Sequence, residues 1–183
     1  MEDYLNGKEK QYNGFATDVW FDEAIDYIKA QAKVQKKTDK PFFLYLSTNA
    51  PHVPWRAPEQ YIEPYKALGL GDDIAKFYGM ITNIDDNIAR LRNAMRDTNI
   101  EDNTIFIFMT DNGSSMAAKS NGEPLTRLSD EVKLAIETKT GKKLNTLNGF
   151  MRAGKASTYE GGHRVPFYIR WPNGKLGQPG EFD

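Results

Sequence analysis

Three stretches of this 183-residue chain place side chains of chemical interest beside apolar or glycine-rich sequence. In Thr104–Gly113, TIFIFMTDNG, the apolar run Ile105 to Met109 leads directly into Thr110, Asp111, Asn112 and Gly113. A continuous run of that kind is the pattern of a strand covered on both faces. In open parallel sheets, polar groups just past the carboxyl ends of strands face the ligand crevice. A carboxylate (Asp111) and an amide oxygen (Asn112) would then stand where such folds do chemistry. Asp-Asn-Gly is equally good turn chemistry, and these residues alone leave both readings open. A second apolar run, PFFLYLST (residues 41–48), is followed by Asn49-Ala50-Pro51-His52-Val53-Pro54-Trp55. Prolines on both sides of His52 restrict the backbone and fix where the imidazole points. The alternative is a histidine that is simply hydrogen-bonded within its loop. The third stretch, residues 149–164, carries Lys155, Glu160, His163 and Arg164 among glycines, which imply close backbone approach or positive φ. Asp85 and Asp86 form a carboxylate pair, read here as a solvated structural pair on a helix rather than as acid–base machinery.

The elements that must position these residues follow from periodicity. A helix is expected from a Thr17 or Asp18 cap to about Lys37, with Asp22 and Glu23 near its positive end. Phe21, Ala24, Ile25, Ile28 and Ala32 share one face of it. A short helix over 58–68 precedes a long one over 73–97. Its apolar stripe is Ile74, Phe77, Ile81, Ile84, Ile88, Leu91 and Met95, and Asn99 is a left-handed stop. Buried strands are expected at 41–48, 104–109 and 166–171. The order helix, strand, helix, strand suits an α/β fold with a mostly parallel sheet flanked by helices. Residues 114–148, polar and lysine-bearing, look like an insertion on the active-site edge. A helix is expected there from Ser129 to about Thr140, and Lys119, Lys142 and Lys143 are read as solvated.

Composition bounds the function classes. The length suits one domain with a sizeable core, and 39% hydrophobic with 27% charged residues is a globular balance. A formal charge of −1 gives no reason to expect nucleic acid or an anionic membrane as partner. No apolar run is long enough to cross a bilayer. The absence of cysteine rules out disulfides, thiolate metal sites and a cysteine nucleophile within this chain. The first residues carry no hydrophobic signal core, so the compartment stays open.

The loops APHVP, TDNG and GKASTYEGGHRVP, taken in this order with KFYGMITNIDDNIARL, resemble the sulfatase family of the alkaline-phosphatase-like superfamily. The likeness runs from TDVWFDEAIDYIK to PFYIRWPNG. It implies that Asp111 and Asn112 ligate a divalent cation, usually Ca2+. It implies that His52 contacts the sulfate and assists the leaving group, and that Lys155 binds sulfate oxygens. Physical chemistry agrees. Calcium takes carboxylate and amide oxygens, an ammonium offsets sulfate charge, and a positioned histidine suits proton transfer to an alkoxide. Glu160 and Arg164 are read as holding their loop, and His163 as exposed or structural. The family's formylglycine nucleophile arises from Cys or Ser in a C/S-x-P/A-x-R motif, and no such motif occurs here. The family's early Asp-Asp pair, the other half of its metal site, and the Lys-x-His pair after the nucleophile are also missing. The expectation is therefore a partial sulfatase catalytic domain over 1–183, inactive by itself, whose partners are the remainder of that domain and a sulfated small molecule or glycan. Family resemblance suggests a periplasmic, secreted or lysosomal setting. A phosphoester or phosphonate hydrolase of the same superfamily, or a non-catalytic sulfatase-like binding module, stays open beside it.

Overall fold

The computed structural model describes residues 2–5, 7–114 and 151–174, with the single positions 134, 138 and 176. The expected insertion over 114–148 and its helix lie almost wholly outside the described residues. The chain forms two compact units, Met1–Pro64 with Ala75–Glu101, and Tyr65–Ile74 with Asp102–Asp183.

The first unit opens with an antiparallel hairpin, β1 (Glu2–Leu5) and β2 (Lys8–Gln11), which pairs Leu5 with Lys8 beside Gly7 at φ 76°. Helix α1 then runs from Ala16 to Thr38. Its expected face is buried throughout, with Phe21, Ala24, Ile25, Ile28 and Ala32 all in the core. Covering each large aliphatic or aromatic side chain of that set contributes about 1.5–3 kcal/mol. The cap differs from expectation: Phe15 is the N-cap residue and makes no side-chain cap bond. Thr17 is instead buried, and Asp18 turns towards another helix.

That helix is α3, Asp72–Asp97, which follows α2, Glu59–Ala67. Gly79 of α3 lies close to α2, since a Cβ there would meet the Tyr61 carbonyl oxygen at 3.0 Å. Asn99 ends the long helix in the left-handed region at φ 60°, as its type suggests. The expected aliphatic stripe is only partly the buried one. Ile74, Leu91 and Met95 are buried, whereas Ile81 is 40% exposed. The centre of the buried face belongs to Asn83 and Asn87, at 0% and 1% exposure. Both amides donate to Asp18 Oδ1 at 2.7 Å, which satisfies their buried nitrogens, while Asn83 Oδ1 has no partner among the described residues. Asp85 and Asp86 point to solvent on the opposite side. At the foot of α3, the buried carboxylate of Glu101 accepts from Arg92 at 3.0 Å and Arg96 at 3.3 Å.

Between α1 and α2, residues 41–49 alternate between exposed and half-buried, as an extended chain would, but form no strand and join no ladder. The expectation of a buried strand is corrected here. Phe43 is 84% and Tyr45 77% exposed, while Phe42 packs edge-on against Tyr27, ring centroids 5.9 Å apart. Alternate side chains of an extended chain face opposite ways, and one way has no cover among the described residues.

In the second unit β3 (Phe106–Met109) pairs with β4 (Phe167–Arg170) antiparallel, Phe106 opposite Arg170 and Met109 opposite Phe167. Neither strand is buried on both faces as expected. Ile107 is 49% and Phe167 57% exposed. A two-stranded ladder offers no further layer to cover its second face, so a continuous apolar run does not by itself produce burial. Both ladders among the described residues are antiparallel. The parallel pairing that the element order suggests is not among them.

Candidate functional site

In the second unit, β3 delivers Thr110, Asp111, Asn112 and Gly113 at its carboxyl end. Asp111 is exposed, and Asn112 is half-buried beside it. The Asn112 amide donates to Asp111 Oδ2, so the two oxygen-bearing side chains share one turn and constrain each other. Carboxylate and amide oxygens are the donors that a hard cation accepts. They supply two of the roughly six to eight oxygens that calcium takes. Among the described residues no group of three or more His, Cys, Asp or Glu side chains gathers. The pair therefore fits calcium as part of a coordination shell.

The glycine-bearing loop before β4 lies directly on this turn. Gly113 N donates to Gly162 O at 2.9 Å, and Lys155 N donates to Ser114 O at 3.1 Å. The approach is close enough to exclude any side chain at Gly113, where a Cβ would stand 1.7 Å from the Gly161 carbonyl oxygen. Gly162 is under the same constraint, with a Cβ 2.0 Å from Ser157 O. The glycines of this loop thus serve close approach. The positive φ angles fall instead on Ala153 (61°) and Ala156 (69°), either side of Lys155. No propensity argument places alanine there.

Lys155 is half-buried. Its ammonium makes no hydrogen bond or ion pair among the described residues. A one-turn helix, Glu160–His163, closes the loop. Arg164 N donates to Glu160 O at 2.8 Å, and the two side chains form an exposed pair at 3.8 Å, in keeping with a loop-holding role. His163 is exposed.

His52 belongs to the first unit. Its own N–H donates to Asn49 O at 2.8 Å, which closes a tight turn. Nδ1 lies 2.9 Å from Val53 O. A carbonyl only accepts, so Nδ1 carries the proton, and Nε2 is the ring nitrogen left to face a substrate. The ring is exposed. The two prolines orient the imidazole together with this bond rather than by backbone restriction alone.

Asp111, Asn112 and Lys155 are thus brought onto adjoining turns of one unit. Arg152 and Tyr159 were not singled out by sequence. The Arg152 guanidinium sits 3.6 Å from the Tyr159 ring centroid, across the base of the Lys155 loop. Nothing in hydrophobic periodicity signals such a pair.

A strand ending in an acid–amide turn is thus bound through its backbone to a lysine-bearing, glycine-rich loop. The sequence model of the Sulfatase family matches residues 1–179, and the chain belongs to that family. It is 32% identical over 162 residues to the N-acetylgalactosamine-6-O-sulfatase of Bacteroides thetaiotaomicron, covering 87% of this chain and 28% of that protein. It is 28% identical over 158 residues to the N-acetylgalactosamine-6-sulfatase of Homo sapiens, covering 85% of this chain and 23% of that one. Among solved structures it is similar to Ps i-CgsB in complex with k-i-k-neocarrahexaose. The TM-score is 0.69 and the identity 30%, covering 91% of this chain and 30% of that one. That likeness assigns the alkaline-phosphatase-like fold of the sulfatases. The chain spans less than a third of the length of each of these relatives.

Proposed function

We propose that this chain forms part of a calcium-dependent sulfuric ester hydrolase acting on a sulfated glycan or aryl sulfate. The observation that carries the proposal is the junction of two loops, the Asp111-Asn112 turn and the Lys155 loop, within a chain of the sulfatase family. In this reading Asp111 and Asn112 hold part of the calcium shell, and the bound cation would offset charge on the sulfate group as the S–O bond breaks. Lys155 binds sulfate oxygens through an ammonium that pairs with no carboxylate among the described residues. His52, with Nδ1–H given to Val53 O, meets substrate through Nε2, and the imidazolium form donates the Nε2 proton to the leaving oxygen. The glycan preference rests on relatives whose names or bound ligand are carbohydrate. We further propose that these four residues lie in one partial catalytic domain whose sheet is mostly parallel, and that turnover needs a nucleophile and further ligands from other sequence. The 183 residues hold no cysteine and no serine in the family's nucleophile pattern.

The test compares the whole protein that contains this chain with its His52→Ala, Lys155→Ala and Asp111→Ala variants on an aryl sulfate and a sulfated oligosaccharide. Loss of the proton donor at His52 should lower turnover by roughly 10²- to 10⁴-fold. Chelation should abolish activity in the wild type, with calcium restoring it. Turnover that survives both chelation and Asp111→Ala would remove the calcium assignment, and turnover by these 183 residues alone would remove the claim that they are incomplete.

A further inference from the structure

The loop that carries Lys155 has an unfavourable backbone shape. Ala153 and Ala156 are left-handed, at φ 61° and 69°, a region that a residue with a Cβ enters only when its surroundings hold it there. The closures that hold it are visible. Ser157 N donates to Gly154 O at 3.1 Å across the turn, and Gly161 N donates to Arg152 O at 2.9 Å across the loop's base. Gly113 N and Lys155 N then fasten the loop to the Asp111-Asn112 turn. One side-chain contact spans the same base, the Arg152 guanidinium over the Tyr159 ring. Both side chains are exposed, and Arg152 forms no ion pair among the described residues. A flat guanidinium on an aromatic face is a directional contact that a lysine does not reproduce. Its placement is informative, because it joins the residue before one left-handed alanine to the residue before the Glu160–His163 turn.

We propose that the Arg152–Tyr159 stack is a clasp, and that Arg152 is a positioning residue keeping Lys155 in register with the Asp111-Asn112 turn. The proposal rests on the sulfate-binding role assigned above to Lys155. Arg152 acts through the loop, and it needs no contact with substrate. Removing either partner lets the loop open more often, which exposes the Lys155 and Gly113 amides and lets the ammonium wander.

The test reads amide hydrogen exchange and kinetics in the same variants of the protein. Arg152→Ala and Tyr159→Leu should each speed exchange at the Lys155 and Gly113 amides about two- to fivefold, the factor that an exposed cation–π contact represents. The double variant should be no faster than either single one, and Tyr159→Phe, which keeps the ring face, should behave as wild type. In kinetics, kcat/KM for a sulfate ester should fall by a similar factor in Arg152→Ala, but not when Lys155→Ala is already present. Unchanged exchange in Arg152→Ala overturns the clasp. So does an equal loss of kcat/KM with and without Lys155, which would indicate direct substrate contact or a general structural defect. If the whole protein that contains this chain hydrolyses no sulfate ester, the hydrolase reading fails instead, and the exchange result still upholds or overturns the clasp.

Discussion

Replacing Gly113 by alanine should separate the two loops that make the candidate site. The added Cβ would stand 1.7 Å from the Gly161 carbonyl oxygen, 2.7 Å from its carbon and 3.0 Å from the Gly162 Cα, all backbone atoms. No rotamer change relieves a clash with backbone. The loops must part by about as much again to reach the 3.4 Å of ordinary contact. That movement gives up the bonds from Gly113 N to Gly162 O and from Lys155 N to Ser114 O. At about 1 kcal/mol for each bond, plus residual strain, the loss is about 2–4 kcal/mol. Urea denaturation followed by tryptophan fluorescence reads it as a midpoint lowered by about 1–2 M at an ordinary slope. Gly71→Ala is the matched control, since nothing lies within 4 Å of its Cβ position. It should be neutral or stabilise by about 0.4–1 kcal/mol. A Gly113→Ala midpoint equal to wild type, with the Lys155 amide still protected, would refute the close junction of the two loops.

Two further outcomes concern the first unit. Asp18→Ala removes the acceptor shared by Asn83 and Asn87; Asn87 keeps its bond to Asn83 O at 2.9 Å, whereas the Asn83 amide nitrogen has no other acceptor among the described residues. Stranding that buried donor, with loss of charge-assisted bonds, should cost about 2–5 kcal/mol by urea denaturation, and a cost near zero would show that the network is not closed as described. The second is a pH effect: the hydrogen bond from Lys10 to Glu23, 2.7 Å long, holds the Glu23 carboxyl below its ordinary 4.5. A lowered carboxyl contributes stability that is present above the unfolded value and is lost as pH falls through the folded one. In Lys10→Met the Glu23 carbon resonance should therefore titrate higher than in wild type, and an unmoved midpoint would contradict the pairing.

Elements whose pattern is local were legible from residue order. The α1 face from Phe21 to Ala32, the span of α3 and its stop at Asn99 all follow from spacing and residue type, because helical periodicity and a left-handed cap need no distant partner. Asp111, Asn112, His52 and Lys155 were legible as candidates through motif resemblance, and the family match covers residues 1–179. Tertiary structure decided the rest. The apolar runs at 41–48, 104–109 and 166–171 read as buried strands, yet burial depends on what packs over each face, which a run of residues does not encode. Asn83 and Asn87 occupy the centre of the α1–α3 contact because Asp18, 65 and 69 positions away, supplies the acceptor. The left-handed angles at Ala153 and Ala156 are likewise not a matter of propensity. Bonds across the loop close around them, from Ser157 N to Gly154 O and from Gly161 N to Arg152 O, and the bonds joining Lys155 to Ser114 and Gly113 to Gly162 bring Lys155 to the Asp111-Asn112 turn.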